Sequence, residues 1–130
     1  MKNLITGMAC LIILCVFLVQ ITGYQAAHSK LLYAETVVNT AVESARQAGC
    51  FTEKIKDHIR NSISAKLGCE PSEVTIDATT VPVLRGGIIT YTITFPLKNV
   101  IGASKLLGIS EEDNRVVRTI TGSAASEYLE

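Results

Sequence analysis

Charge is scarce in this sequence, both in the whole chain and at its N-terminal end. The twelve basic residues balance the twelve acidic ones. No net positive field therefore attracts nucleic acid, and we expect no nucleic-acid partner. Between Lys2 and Lys30 there is no charged residue at all. An uncharged stretch of this length is typical of a membrane segment or a targeting signal.

Groupings of catalytic or metal-binding residues are also missing. The two histidines, His28 and His58, have no companions at the spacing of a metal site. The acidic run at 111–113 lacks the central glycine and alternating ligands of a calcium loop, and the glycine pair at 86–87 lacks a phosphate-binding pattern. We therefore expect no enzyme activity, no cofactor and no small-molecule substrate.

The uncharged stretch itself is long enough to cross a bilayer. Twenty mostly aliphatic residues run from Leu4 to Gly23. A helix of this length covers ~30 Å, whereas the apolar core of a secretory signal has only ~7–15 residues. Length thus favours a retained transmembrane segment over residues 1–25. The positive charges of Lys2 and the amino terminus favour an N-terminus inside and the rest outside. The residues expected to form the membrane anchor are Leu11, Ile12, Ile13, Leu14, Val16, Phe17, Leu18 and Val19.

Cleavage of this stretch stays open as an alternative. A weak small-x-small site lies around Gly23, Gln25 and Ala27. If it is used, the mature protein is a secreted domain without the anchor.

The residues after the apolar stretch continue the helix as an amphipathic segment, residues 26–50. Apolar positions recur at alternating steps of four and three, which places them on one stripe, and Gly49 is a stop signal. We expect one helix from about Leu4 to Ala48. The stripe is mostly alanine, so it suits close packing against another helix as well as packing on its own domain. It consists of Ala27, Leu31, Ala34, Val38, Ala41, Ala45 and Ala48.

The remaining residues, 51–130, predict a small α+β head. Isoleucines at every fourth position indicate a second helix over 52–67. Alternating β-branched residues predict strands within 73–80, 86–95 and 115–122, the first two forming a hairpin, and Pro96 is expected to break the second strand. Residues 97–108 fit either a short helix or an apolar loop. The predicted fold is one or two helices covering a three-stranded antiparallel sheet.

Two cysteines flank the second helix and raise the question of a disulfide. Cys50 and Cys69 form an even pair outside the apolar segment. A continuous helix over 52–67 separates its ends by ~24 Å, whereas bridged Cα atoms lie within ~7 Å. A bridge within one chain is therefore disfavoured, which leaves free thiols or pairing between subunits.

Taken together, this architecture resembles the TadE-like minor pilins (pseudopilins) of tight-adherence, or Flp, pilus systems. The resemblance rests on the spanning helix, on the Ala-rich segment ending in ESARQAG and on the terminal strand VVRTITGSAASEYLE. The chain is also similar to small membrane proteins of conjugation-type secretion clusters. The resemblance implies a bacterial cell membrane or extracellular filament location, and pilin-like or membrane subunits as partners through the N-terminal helix.

The same resemblance implies a processing site near the N-terminus. Pilin-type family members are cut after a glycine, which here corresponds to a cut between Gly7 and Met8. The fifth residue after that cut is Ile12, where family members usually have glutamate. The sequence thus favours a membrane-anchored structural subunit, with a tethered extracytoplasmic protein-binding module as the alternative.

Overall fold

The computed structural model describes residues 1–129, so residue 130, the last of the predicted head, lies outside the described residues. The chain folds into the predicted α+β class, with a long apolar N-terminal helix, a second helix and a three-stranded antiparallel sheet. The elements in chain order are α1 (Lys2–Ala48), α2 (Glu53–Leu67), a 3-10 turn (Pro71–Glu73), β1 (Thr75–Ala78), β2 (Ile88–Lys98) and β3 (Arg115–Ala125).

Helix α1 is one uninterrupted element of 47 residues, as predicted. No proline occurs along it, so every turn keeps its backbone hydrogen bonds. It ends at Gly49, whose φ of 78° lies in the left-handed region that glycine adopts without a Cβ penalty. The apolar and amphipathic segments therefore form a single rod.

Helix α2 lies within the predicted range 52–67, with Thr52 as its N-cap. The Thr52 hydroxyl accepts a hydrogen bond from the backbone N–H of Ile55, at 3.4 Å. Ile59, Ile63 and Leu67 are buried, which confirms the repeat of four. This apolar face packs α2 against the second half of α1.

The sheet has the order β1-β2-β3 with both pairs antiparallel, and the predicted hairpin between the first two strands is confirmed. Central strand β2 turns Ile89, Ile93 and Phe95 into the core, where they meet residues of both helices. The two helices thus cover one face of the sheet.

The prediction that Pro96 breaks the second strand is wrong. Strand β2 continues through Pro96 to Lys98, and Pro96 pairs with Val117 of β3. Strand β1 begins at Thr75 opposite Thr94, so the proline has a strand on one side only. A residue without an N–H is tolerated there because no second ladder needs a donor from it.

The sheet lies along the second half of α1, and each end of the sheet lies beside a different part of the helix. At one end the Gly49 carbonyl accepts from Val83 and the Arg46 carbonyl accepts from Glu127, so the hairpin turn and the C-terminal segment meet the end of α1. At the other end a crevice is bordered by Tyr24 and Leu97. The loop between β2 and β3 therefore lies nearest the apolar half of α1. Its residues 102–108 form turns and not a helix.

Candidate functional site: the apolar helix and the loop beside it

The N-terminal half of α1 is an exposed apolar surface. Among the described residues, α1 is the one helix long and apolar enough to cross a membrane. Seven of the eight predicted anchor residues are exposed and Val16 is half-buried. Gly7 and Met8, the predicted processing site, are also exposed within the helix.

The C-terminal half of α1 has the opposite character because the head covers it. Within the predicted stripe, Ala34, Val38, Ala41 and Ala45 are buried in the core cluster, whereas Leu31 and Ala48 are half-buried. Of the two uses left open by the sequence, the structure therefore places the stripe against the chain's own head.

A close contact between α1 and the β2–β3 loop was not predicted from the sequence. A Cβ added at Gly102 would lie 2.6 Å from the carbonyl oxygen of Val19, and one added at Gly23 would lie 2.7 Å from the Cα of Gly102. Two glycines, far apart in the sequence, thus let the loop backbone rest directly on the helix. Nothing local in the sequence indicates that Gly102 and Gly23 meet.

Beyond this contact the loop stands away from α1 and leaves two apolar grooves. One, of about 720 Å³, is bordered by Leu11, Cys15 and Val19 on α1 and by Leu106 on the loop. The other, of about 440 Å³, is bordered by Ile13 and Phe17 on α1 and by Leu107 on the loop. Both grooves have predominantly apolar walls and open onto the exposed surface of the apolar helix.

The loop is held in place by a buried asparagine. The Asn114 side chain accepts a hydrogen bond from the backbone N–H of Ile101 at 2.6 Å and donates one to the Ile101 carbonyl at 3.0 Å. Asn114 is buried, and its backbone carbonyl accepts from Asn99. One side chain thus closes the base of the loop.

A charged cluster lies at the end of the sheet from which this loop emerges. Glu73 accepts hydrogen bonds from the backbone N–H of Glu70 at 2.9 Å and from Lys98 Nζ at 3.2 Å, and Arg115 lies 3.8 Å away. The Glu70 N–H is the largest cause lowering the pKa of Glu73 below its usual range, followed by the Lys98 ammonium. Lys98 and Arg115 are a register pair, so Glu73 ties the 3-10 turn to the base of the loop.

The two segments that carry the pilus-family resemblance meet at the other end of the head. Arg46, from ESARQAG, forms an ion pair with Glu127, from the terminal segment, and donates to the backbone carbonyl of Ala125 at 3.2 Å. The Glu127 N–H in turn donates to the Arg46 carbonyl at 2.9 Å. This arrangement fastens the C-terminal segment to the end of α1.

Cys50 and Cys69 are both buried free thiols in the structure. The uninterrupted helix α2 lies between the two cysteines, as predicted. Burial is the main cause that raises the pKa of the Cys69 thiol, and the Glu73 carboxylate adds to it. Cys69 is therefore kept as a neutral thiol, the less reactive form.

The two histidines are both exposed, His28 on α1 and His58 on α2. Within residues 1–129 there is no group of three or more side chains that could hold a metal ion. The feature most able to interact with other molecules is the exposed apolar surface of α1 together with the loop and its grooves. Comparison of the chain with protein-family models, with curated proteins and with solved structures finds no match.

Proposed function

We propose that this chain is a single-pass, membrane-anchored structural subunit of pseudopilin-like type, belonging to a surface appendage or a secretion or conjugation machine. The observation that carries the proposal is the division of one 47-residue helix into an exposed apolar half and a half built into a folded head. A rod of this kind anchors the head and presents an apolar helix surface to neighbouring subunits.

The arrangement of α1 supports assembly through its apolar half only. The stripe of small residues is occupied by the head, so contacts to neighbours fall on the segment before Gly23. The N-terminus inside, the head outside and a bacterial cell membrane are parts of the same proposal, and so is an extracellular filament. The meeting of Arg46 and Glu127 supports a shared role for the two resembling segments.

The experiment that tests the proposal is intact mass with N-terminal sequencing of the protein from its native membranes. If the mature protein begins at Met1, the result supports a permanent anchor. If it begins at Met8, the result supports cleavage by a prepilin peptidase and entry into a filament. A start at Ala26 or His28 overturns the proposal, because the apolar half would then be absent from the mature protein.

A second candidate function is a tethered protein-binding module. It is favoured by strand β3, which pairs with β2 along one edge and, within the described residues, has no strand on its other edge. An exposed edge of eleven residues offers backbone donors and acceptors to an added strand. In this function the apolar helix is only an anchor and makes no specific contacts with its neighbours.

A further inference from the structure

The β2–β3 loop overlaps the apolar half of α1 along the helix axis. Gly102 rests on α1 at Val19 and Gly23, and the loop then extends beside the helix, where it shares one groove with residues from Leu11 to Val19. The part of α1 that lies beyond its reach, Lys2–Cys10, has nine residues and is ~14 Å long. That is about half of the ~30 Å needed to cross the hydrocarbon core. If α1 spans a membrane, the loop must therefore enter the lipid beside it.

The loop reaches below the boundary between head groups and acyl chains, into the part of the hydrocarbon core that lies nearest the head. Counted from Lys2, a ~30 Å hydrocarbon core ends close to Ile21. Leu107 borders a groove with Ile13 and Phe17, which lie four to eight residues before Ile21. This places Leu107 ~6–12 Å below the edge of the core, and interfacial apolar segments are buried ~5–10 Å.

The composition and exposure of the loop suit this position. Residues 99–109 contain one charged residue, Lys105, whose long aliphatic stem lets its ammonium group reach the head groups. Leu106 and Leu107 are 76% and 58% exposed in the isolated chain. Exposed leucines beside a spanning helix are unfavourable in water and favourable in lipid. Glu111 also borders one groove, which limits insertion on that side to the solvated interface.

Several backbone N–H and C=O groups of the loop are hydrogen-bonded within the protein, as a segment in lipid requires. The N–H of Leu107 donates to the Ala103 carbonyl at 3.1 Å, and the N–H of Ile109 donates to the Ser104 carbonyl at 2.9 Å. Both backbone groups of Ile101 are bonded to Asn114. A loop whose turns pair their own polar groups loses less on leaving water than an open chain does.

We infer that residues 100–109 form a membrane-embedded loop, which inserts into the leaflet adjacent to the head and leaves lipid acyl chains to fill the two grooves against α1. The inference rests on the proposed function, since it requires α1 to span a bilayer. It adds that the head is seated on the membrane at a fixed depth, held by two segments far apart in the sequence. Lipid is the occupant that fits, because both grooves have predominantly apolar walls and open onto the same exposed helix surface.

Single-tryptophan fluorescence tests this directly because the chain contains no tryptophan. Full-length Leu107→Trp is reconstituted in vesicles of phosphatidylcholine and phosphatidylglycerol, with lipids brominated either near the head group or near the chain end. Leu84→Trp is the matched control, since Leu84 is similarly exposed, at 55%, but lies at the opposite end of the head. Leu11→Trp reports on the anchor itself, and Leu106→Trp repeats the loop measurement at the neighbouring position.

The expected result is quenching of both loop variants by both kinds of brominated lipid, because the loop lies ~6–12 Å below the edge of the hydrocarbon core, together with a blue-shifted emission. Leu11→Trp is expected to be quenched most by bromine near the chain end, and Leu84→Trp to show no quenching. If Leu11→Trp is quenched and Leu107→Trp behaves like Leu84→Trp, the loop inference fails while the anchor stands. A blue shift without quenching that grows with the protein-to-lipid ratio also overturns it, because a second copy then covers the loop. An unquenched Leu11→Trp overturns the proposed anchor and the loop inference with it.

Discussion

At the scale of single residues, the Glu73 carboxylate makes the stability of the head depend on pH. The backbone N–H of Glu70 and the ammonium group of Lys98 both favour its charged form, so its pKa in the folded chain lies below its usual range. A carboxyl group with a depressed folded pKa stabilises the fold above its unfolded pKa. That contribution is lost as the pH falls through the folded pKa.

The prediction is that Glu73→Gln flattens the acid side of the stability profile. The free energy of unfolding of the wild-type protein should fall from about pH 5 toward lower pH, because the unfolded carboxyl group titrates near ~4.3. The variant should be less stable than the wild type near neutral pH and should approach it in acid. Denaturant unfolding of the detergent-solubilised protein at several pH values measures this. Glu43→Gln is a control, since the Glu43 side chain is 64% exposed and belongs to a different cluster. A constant difference between Glu73→Gln and the wild type at all pH values would contradict the prediction.

At the scale of elements, the amphipathic half of α1 is a structural component of the head. Ala41 is buried in the core cluster with α2 and the sheet close by. Its small side chain sets the distance between these elements, so a larger one must displace its neighbours.

We expect Ala41→Leu to lower the free energy of unfolding by about 1–3 kcal/mol, the usual cost of overpacking a core. Asn39→Leu introduces the same residue on the exposed face of the same helix and should change stability by less than ~0.5 kcal/mol. Thermal unfolding followed by circular dichroism compares the two. Equal stabilities would show that the stripe is not packed in the head. A loss of assembly in Ala41→Leu without a loss of stability would indicate that the stripe contacts another subunit.

The contact between Gly23 and Gly102 belongs to the same scale because it joins α1 to the β2–β3 loop. A methyl group at Gly23 would meet the Gly102 backbone at 2.7 Å, closer than real Cβ contacts come, whereas one at Gly7 would meet nothing within 4 Å. The two positions lie on one helix and accept the same substitution, so they form a matched pair.

Gly23→Ala is therefore expected to push the loop away from α1, and Gly7→Ala to leave it in place. Limited trypsin digestion in detergent, with mass spectrometry of the fragment ending at Lys105, measures how accessible the loop is. Cleavage at Lys105 should be several-fold faster in Gly23→Ala than in the wild type. Equal rates in the two glycine variants would show that the close contact does not hold the loop.

The elements also show how far the sequence alone leads. The rod, the repeat of four in α2 and the alternation in the strands are local patterns, so composition and spacing are enough to predict them. Pro96 was misjudged because its tolerance depends on where β1 begins opposite β2, a non-local register. The grooves beside α1 were not predictable for the same reason, since they depend on Gly102 meeting Gly23 across 79 positions. Whether the stripe faces the head or another subunit was likewise decided only by tertiary packing.

At the scale of the whole molecule, the positions of the cysteines allow a test of whether α1 is an assembly helix or a simple tether. Cys10 and Cys15 are exposed on the apolar half of α1, whereas Cys50 and Cys69 are buried in the head. In the proposed assembly, contacts between neighbouring subunits use the apolar half, because the head covers the stripe. Helices that pack closely there bring thiols of two copies within the ~7 Å between Cα atoms that a disulfide allows.

We therefore expect oxidation of native membranes to give disulfide-linked dimers through Cys10 or Cys15. Dimers should be lost in Cys10→Ala/Cys15→Ala and kept in Cys50→Ala/Cys69→Ala, provided that the second variant still folds, as circular dichroism shows. Non-reducing electrophoresis with immunodetection measures the yield. An assembly helix gives a dimer yield that persists when expression is lowered, because a specific contact does not depend on chance encounters in the lipid. A yield that falls in proportion to expression, or monomers throughout, would favour the tethered module, with β3 rather than α1 as the surface that partners recognise.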